Sequence, residues 1–106
     1  MKGERERVMQ RDEKTLVVTR HPAMEQFLLV KGIIQPGEYI VAEHANPKMV
    51  MDRDVIGNVP LWLAAYCNSI TTVNIVTPRD RRGCELSLDE MEEYFEGVHR
   101  YVVKEL

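Results

Sequence analysis

Four places in this sequence carry side chains suited to holding an anion or moving a proton. Arg20 and His21 follow the run Thr15-Leu16-Val17-Val18-Thr19 and stand just before Pro22. Gly57 and Asn58 follow Asp54-Val55-Ile56 and stand just before Val59-Pro60. Arg79, Arg81 and Arg82 crowd into P-R-D-R-R-G-C-E at 78–85, and His44 follows E-Y-I-V-A-E at 38–43. A guanidinium presents a fixed fork of donors that fits a phosphate. Histidine as a residue type titrates near neutral pH, so it can give or take a proton there. Gly83 beside Arg82 would let the backbone come close to a ligand. We take His21, Arg20 and Arg82 as candidate catalytic groups. Thr19, His44, Gly57, Asn58 and Gly83 join Arg20, His21 and Arg82 as candidate ligand-binding residues. No histidine, cysteine or carboxylate cluster has metal-ligand spacing, and no P-loop, GxGxxG, GxSxG or HExxH occurs, so neither a metal nor a cofactor is expected.

Each residue also has a plainer reading. His21 could cap a helix, Arg20 could pair with Glu25, and Asn58 is a common turn residue. Asp80 and Glu85 could neutralise the arginine loop. Two features favour a ligand. V-T-R-H-P at 18–22 is echoed by I-G-N-V-P at 56–60, each a strand residue leading through a short turn to a proline that enters a helix. The arginine loop should follow a strand at the same edge. Trp62 and Tyr66, four apart, suit core packing or a dimer seam better than base stacking.

The elements that position these residues can be read from hydrophobic pattern and turn chemistry. Strands are expected at 15–19, 38–43, 54–56 and 72–77, with a last strand in V-H-R-Y-V-V at 98–103. One helix follows Pro22, with Met24, Phe27 and Leu28 on its inner face and Gly32 as its stop. A second covers 60–69, apolar on most faces and so largely buried. A third opens at Ser87, which forms a capping box with Glu90, and runs to Gly97. Residues 44–53 read as a loop. Strands alternating with helices predict a mainly parallel α/β sheet flanked by about three helices, with function at the carboxyl ends of the strands.

Composition sets outer limits. The chain of 106 residues predicts one α/β domain over 15–106, preceded by a charged flexible tail at 1–14. A net charge of −3 argues against non-specific binding to duplex DNA. No apolar run is long enough to span a membrane and no signal-peptide core opens the chain, which predicts a cytoplasmic protein. Cys67 and Cys84, the two cysteines, read as free thiols rather than a disulfide or zinc site.

V-T-R-H-P at 18–22, I-G-N-V-P-L-W-L-A-A at 56–65 and R-G-C-E-L-S at 82–87 together resemble one family. It is a group of small accessory proteins of type III CRISPR systems, the Csx family numbered sixteen. The resemblance covers about residues 15–104. It implies a compact Rossmann-like fold and a ring nuclease, an enzyme that opens cyclic tetra-adenylate and so switches off an antiviral signal. It further implies a cyclic oligoadenylate partner and a homodimer whose two-fold axis matches the symmetry of the ring. Asn58 stands where the family has a hydroxyl residue, and Asn46-Pro47-Lys48-Met49 replaces an acidic turn. Thr19-Arg20-His21 also resembles, locally, the R-H-G turn of histidine phosphatases. That family needs about twice this length and a glycine where Pro22 stands. Besides the nuclease, two alternatives remain at this point: a non-catalytic sponge for the cyclic messenger, and a protein-interaction subunit docking through Arg79, Arg81 and Arg82.

Overall fold

The computed structural model describes residues 14–106; the charged tail expected over 1–14 lies outside them except for Lys14. Five strands form one sheet in the order β2-β1-β3-β4-β5. They are β1 (Thr15–Val18), β2 (Tyr39–Ala42), β3 (Asp54–Ile56), β4 (Ser69–Ile75) and β5 (Phe95–Tyr101). The first four run parallel, and β5 pairs antiparallel with β4 at one edge. Helices α1 (Met24–Val30), α2 (Pro47–Val50), α3 (Leu61–Ala64) and α4 (Leu88–Tyr94) cover the two faces. The α/β, mainly parallel sheet expected from the sequence is therefore present, with four helices rather than about three.

Alternation along the strands divides the core in two. Val17, Ile56 and Val73 face one side and pack with Phe27 and Leu28 of α1 and Met91 of α4. Leu16, Val55 and Ile70 face the other and pack with Val50, Leu63 and Ala64 of α2 and α3. Phe27 is fully buried, meets Phe95 edge to face at 5.4 Å, and stabilises the first layer by about 2–3 kcal/mol. The Lys31 ammonium lies 4.8 Å from the Phe95 ring centre and pairs with Glu92, tying α1 to α4.

Several boundaries differ from the sequence reading. Pro22 does not enter α1: a turn through Pro22-Ala23 precedes it, and Met24 N donates to the His21 carbonyl at 3.2 Å. The helix expected over 60–69 holds only Leu61–Ala64, and β4 takes over at Ser69 because Ile70-Thr71-Thr72-Val73 is a β-branched run. With so little length α3 buries one face alone. Leu63 and Ala64 are buried, whereas Leu61, Trp62 and Tyr66 are exposed, against the expectation of a buried helix. The stretch 44–53 is not all loop: Asn46 Oδ1 accepts from Met49 N at 3.0 Å and Pro47 opens α2. The capping box of α4 is present, but α4 ends at Tyr94 and Gly97 lies within β5. Cys67 and Cys84 are free, one buried and one exposed. Among the described residues no helix is long and apolar enough to cross a membrane.

Candidate functional site

The strand order reverses between β1 and β3, since β1 connects outward to β2 while β3 begins the run to β4. A crevice outside the carboxyl ends of two such strands is where open α/β sheets bind ligands. Two depressions occupy this edge. One, of about 280 Å³, is lined by Thr19, Arg20 and His21 after β1, Gly57 and Asn58 after β3, and Glu43 after β2. The other, of about 500 Å³, runs from Arg20 and His21 across the end of β4 to Arg81, Arg82, Gly83, Cys84 and Glu85. Arg20 and His21 belong to both, so the depressions form one continuous cleft around these two residues.

Local hydrogen bonds fix its walls. Thr19 N donates to the Ala42 carbonyl at 2.9 Å, which holds the β1 turn against the end of β2. Thr19 Oγ1 accepts from His21 N at 3.1 Å and sets the turn that projects Arg20 and His21. Gly57 N donates to Thr71 O at 2.9 Å. A Cβ at Gly57 would lie 2.4 Å from the Val18 carbonyl oxygen, so only glycine lets the β3 turn lie against the β1 turn. Gly83 has a φ of +82° and open space where a Cβ would stand.

Charge in the cleft is carried by side chains: Arg20, Arg81 and Arg82 line it together with the carboxylates Glu43 and Glu85. Helices α1 and α3 are short, seven and four residues, so their dipoles add little. Arg20, His21 and Arg82 have side chains that bond to no other described residue. Arg81 behaves differently. It pairs with Glu90 at 2.7 Å, and this pairing, with the Ser87 backbone bond, holds the Glu90 carboxyl below its ordinary range. Glu90 thus closes the capping box and braces the arginine loop at once.

Of the expected residues, Thr19, Arg20, His21, Gly57, Asn58, Arg82 and Gly83 share the cleft. His44 is exposed and lines neither depression. The carboxylate before it, Glu43, is the one that does; β2 ends at Ala42, and the first residue past the strand turns inward. Arg81, Cys84 and Glu85 also line the cleft without having been singled out as site residues. Among the described residues no group of three metal-ligating side chains comes together.

Fold and cleft together define the class: a small doubly wound α/β protein with a cleft lined by charged side chains at its switch point. Residues 16–104 match the model of the family described as "Putative CRISPR-associated protein (Cas_VVA1548)". The chain belongs to that CRISPR-associated family. Neither the curated proteins nor the solved structures compared with it gave a match.

Proposed function

We propose that the protein is a ring nuclease of the Csx family numbered sixteen, acting on cyclic tetra-adenylate in the cytoplasm to end type III antiviral signalling. The observation that carries this reading is the set of three cationic or titratable side chains, Arg20, His21 and Arg82, that line one cleft and bond to no other described residue. Membership of a CRISPR-associated family supports it.

The chemistry requires little machinery. Each ribose 2′-oxygen in the ring lies beside its own 3′-phosphate. Holding that oxygen in line with the leaving 5′-oxygen supplies much of the acceleration. The 2′-oxygen attacks phosphorus as its proton departs, the P–O5′ bond breaks, and the 5′-oxygen takes up a proton. No water is consumed. The product is a linear adenylate with a 2′,3′-cyclic phosphate at one end and a 5′-hydroxyl at the other. In this mechanism Arg20 and Arg82 hold the phosphate and stabilise its growing charge. His21 moves the proton, and Thr19, Gly57, Asn58 and Gly83 position the ring. His44 has no part in it.

Incubation with cyclic tetra-adenylate in EDTA, followed by chromatography of the products, tests the reading. Linear adenylates ending in cyclic phosphate are expected, with turnover falling by about 10²–10³ in Arg20→Ala and about 10²–10⁴ in His21→Ala. Intact ligand that binds tightly would make the protein a sponge. Intact ligand that does not bind would leave the cleft to another anion.

A further inference from the structure

Residues 57–78 contain no charged side chain, although 29% of the chain is charged. In the fold this segment builds α3 and all of β4, and the surface that α3 presents is apolar. Leu61 is 74% exposed, Trp62 63% and Tyr66 43%; beside them at the end of β5, Tyr101 is 50% and Val102 78% exposed. Leu61, Tyr101 and Val102 line a groove of about 310 Å³ floored by Ala64 and Ile70. The five side chains together expose roughly 600 Å² of mainly apolar surface, at the upper end of the largest patch usual on a monomer. This is most of the about 800 Å² that each partner buries in a standard stable interface.

We infer that this face seats a second copy of the same chain. A two-fold interface must be complementary to itself, with a ridge and its matching hollow on one surface. Here the exposed Leu61-Trp62 ridge of α3 lies next to the groove, and the groove has room for an aromatic side chain. Electrostatics favours the same occupant. Two copies each carrying a net charge of −3 repel, and they meet at least cost where neither presents a charge. Aromatic residues at the centre of such a patch are the usual anchors of binding energy.

The face is also continuous with the cleft, because Gly57 and Asn58 line both. A two-fold axis parallel to the strands through α3 puts both clefts at one end of the dimer, side by side. Pairing through the β5 edge would instead put them at opposite ends, since antiparallel pairing reverses one sheet. On the ring-nuclease reading, and only on it, the two clefts together receive the four phosphates of one ring. The interface itself does not depend on that reading.

Sedimentation velocity of the protein without ligand, at tens of micromolar, tests the interface. The expected result is a dimer that becomes a monomer in Leu61→Asp and in Trp62→Asp. Val30→Asp, at an exposed position on α1 across the sheet, should stay dimeric. Hydrogen exchange of the unmodified protein gives a readout independent of any variant: amides over 57–66 and 100–103 should exchange more slowly as concentration rises through the dimerisation range. A monomeric wild type overturns the inference and gives the face to a different protein. So does a dimer that survives both substitutions, or exchange in these segments that ignores concentration. A dimer that leaves cyclic tetra-adenylate intact would sink the nuclease reading and leave the interface standing.

Discussion

At the amino ends of β3 and β4, Asp54 accepts hydrogen bonds from Asn68 Nδ2 at 2.7 Å and Ser69 Oγ at 2.8 Å. Arg100 closes the group, 3.2 Å from Ser69 Oγ and 3.5 Å from the Asp54 carboxylate. At the carboxyl ends of the same sheet, Arg20, His21 and Arg82 line a cleft and bond to no other described residue. The two ends draw on similar side chains and differ in whether each charge is answered. A charge placed for folding finds its counter-ion within the chain. Glu43 and Glu85 line the same cleft, yet no ion pair with Arg20 or Arg82 forms among the described residues; charged groups held apart in this way add little to folding, and such sites serve function at the expense of stability.

The largest way to break this contrast is to displace one wall of the cleft. Gly57→Ala puts a methyl group 2.4 Å from the Val18 carbonyl oxygen at a φ of +143°. Strain and clash together should cost roughly 3 kcal/mol, with the midpoint of a urea titration as the measure. The β3 turn must also move away from the β1 turn, so affinity for a ligand held between them should fall with stability. An unchanged midpoint would mean that the two turns are not held together as described.

A subtler experiment compares arginines at the two ends. Arg100→Ala removes an exposed but hydrogen-bonded pair and should cost about 0.2–1 kcal/mol in urea unfolding at pH 7. Arg20→Ala and Arg82→Ala remove no bond to a described residue; each should stay within about 0.5 kcal/mol of wild type. Loss of 1 kcal/mol or more in Arg20→Ala would show that Arg20 is a structural residue and would take it out of the site.

Much of this was legible before the fold was known, and the failures have physical causes. The element order came through because β-branched runs, Gly32, Pro36-Gly37 and the Ser87–Glu90 capping box are local signals. The extent of α3 did not, because an apolar stretch reads as buried whether the helix covers one turn or three. Turns that follow strands point to the carboxyl edge of the sheet, where the cleft lies, by a rule of topology that needs no side-chain detail. Pairs distant in sequence escaped notice. Arg81 and Glu90 meet only because the arginine loop folds back onto α4. The need for glycine at 57 depends on the neighbouring strand, β1. His44 was expected in the site for its chemistry, whereas β2 ends at Ala42 and it is Glu43, the first residue past the strand, that lines the cleft. Asn46-Pro47 is a helix-start signal, and it was passed over because the helix it opens is a single turn.

The smallest effect concerns acid. Hydrogen bonds from Asn68 and Ser69, with the Arg100 guanidinium, hold the Asp54 carboxyl below its ordinary value of 3.8 against the opposing pull of partial burial. The folded chain therefore favours the deprotonated form. Its contribution to stability is complete above that ordinary value and is lost as pH falls through the lower, folded value. Asp54 is nearly half exposed, so solvent screens the gain to less than about 1 kcal/mol. Glu90, held down by Arg81, has the same sign, so an acid titration of the wild type alone mixes the two. Asp54→Asn separates them. It keeps an oxygen that can accept from Asn68 and Ser69 but carries no charge. The difference in unfolding free energy between wild type and Asp54→Asn should be present at pH 7 and shrink below the ordinary carboxylate range, with the Glu90 contribution common to both. A difference that does not change with pH would mean that the answered charge at the amino end is not what distinguishes it from the cleft.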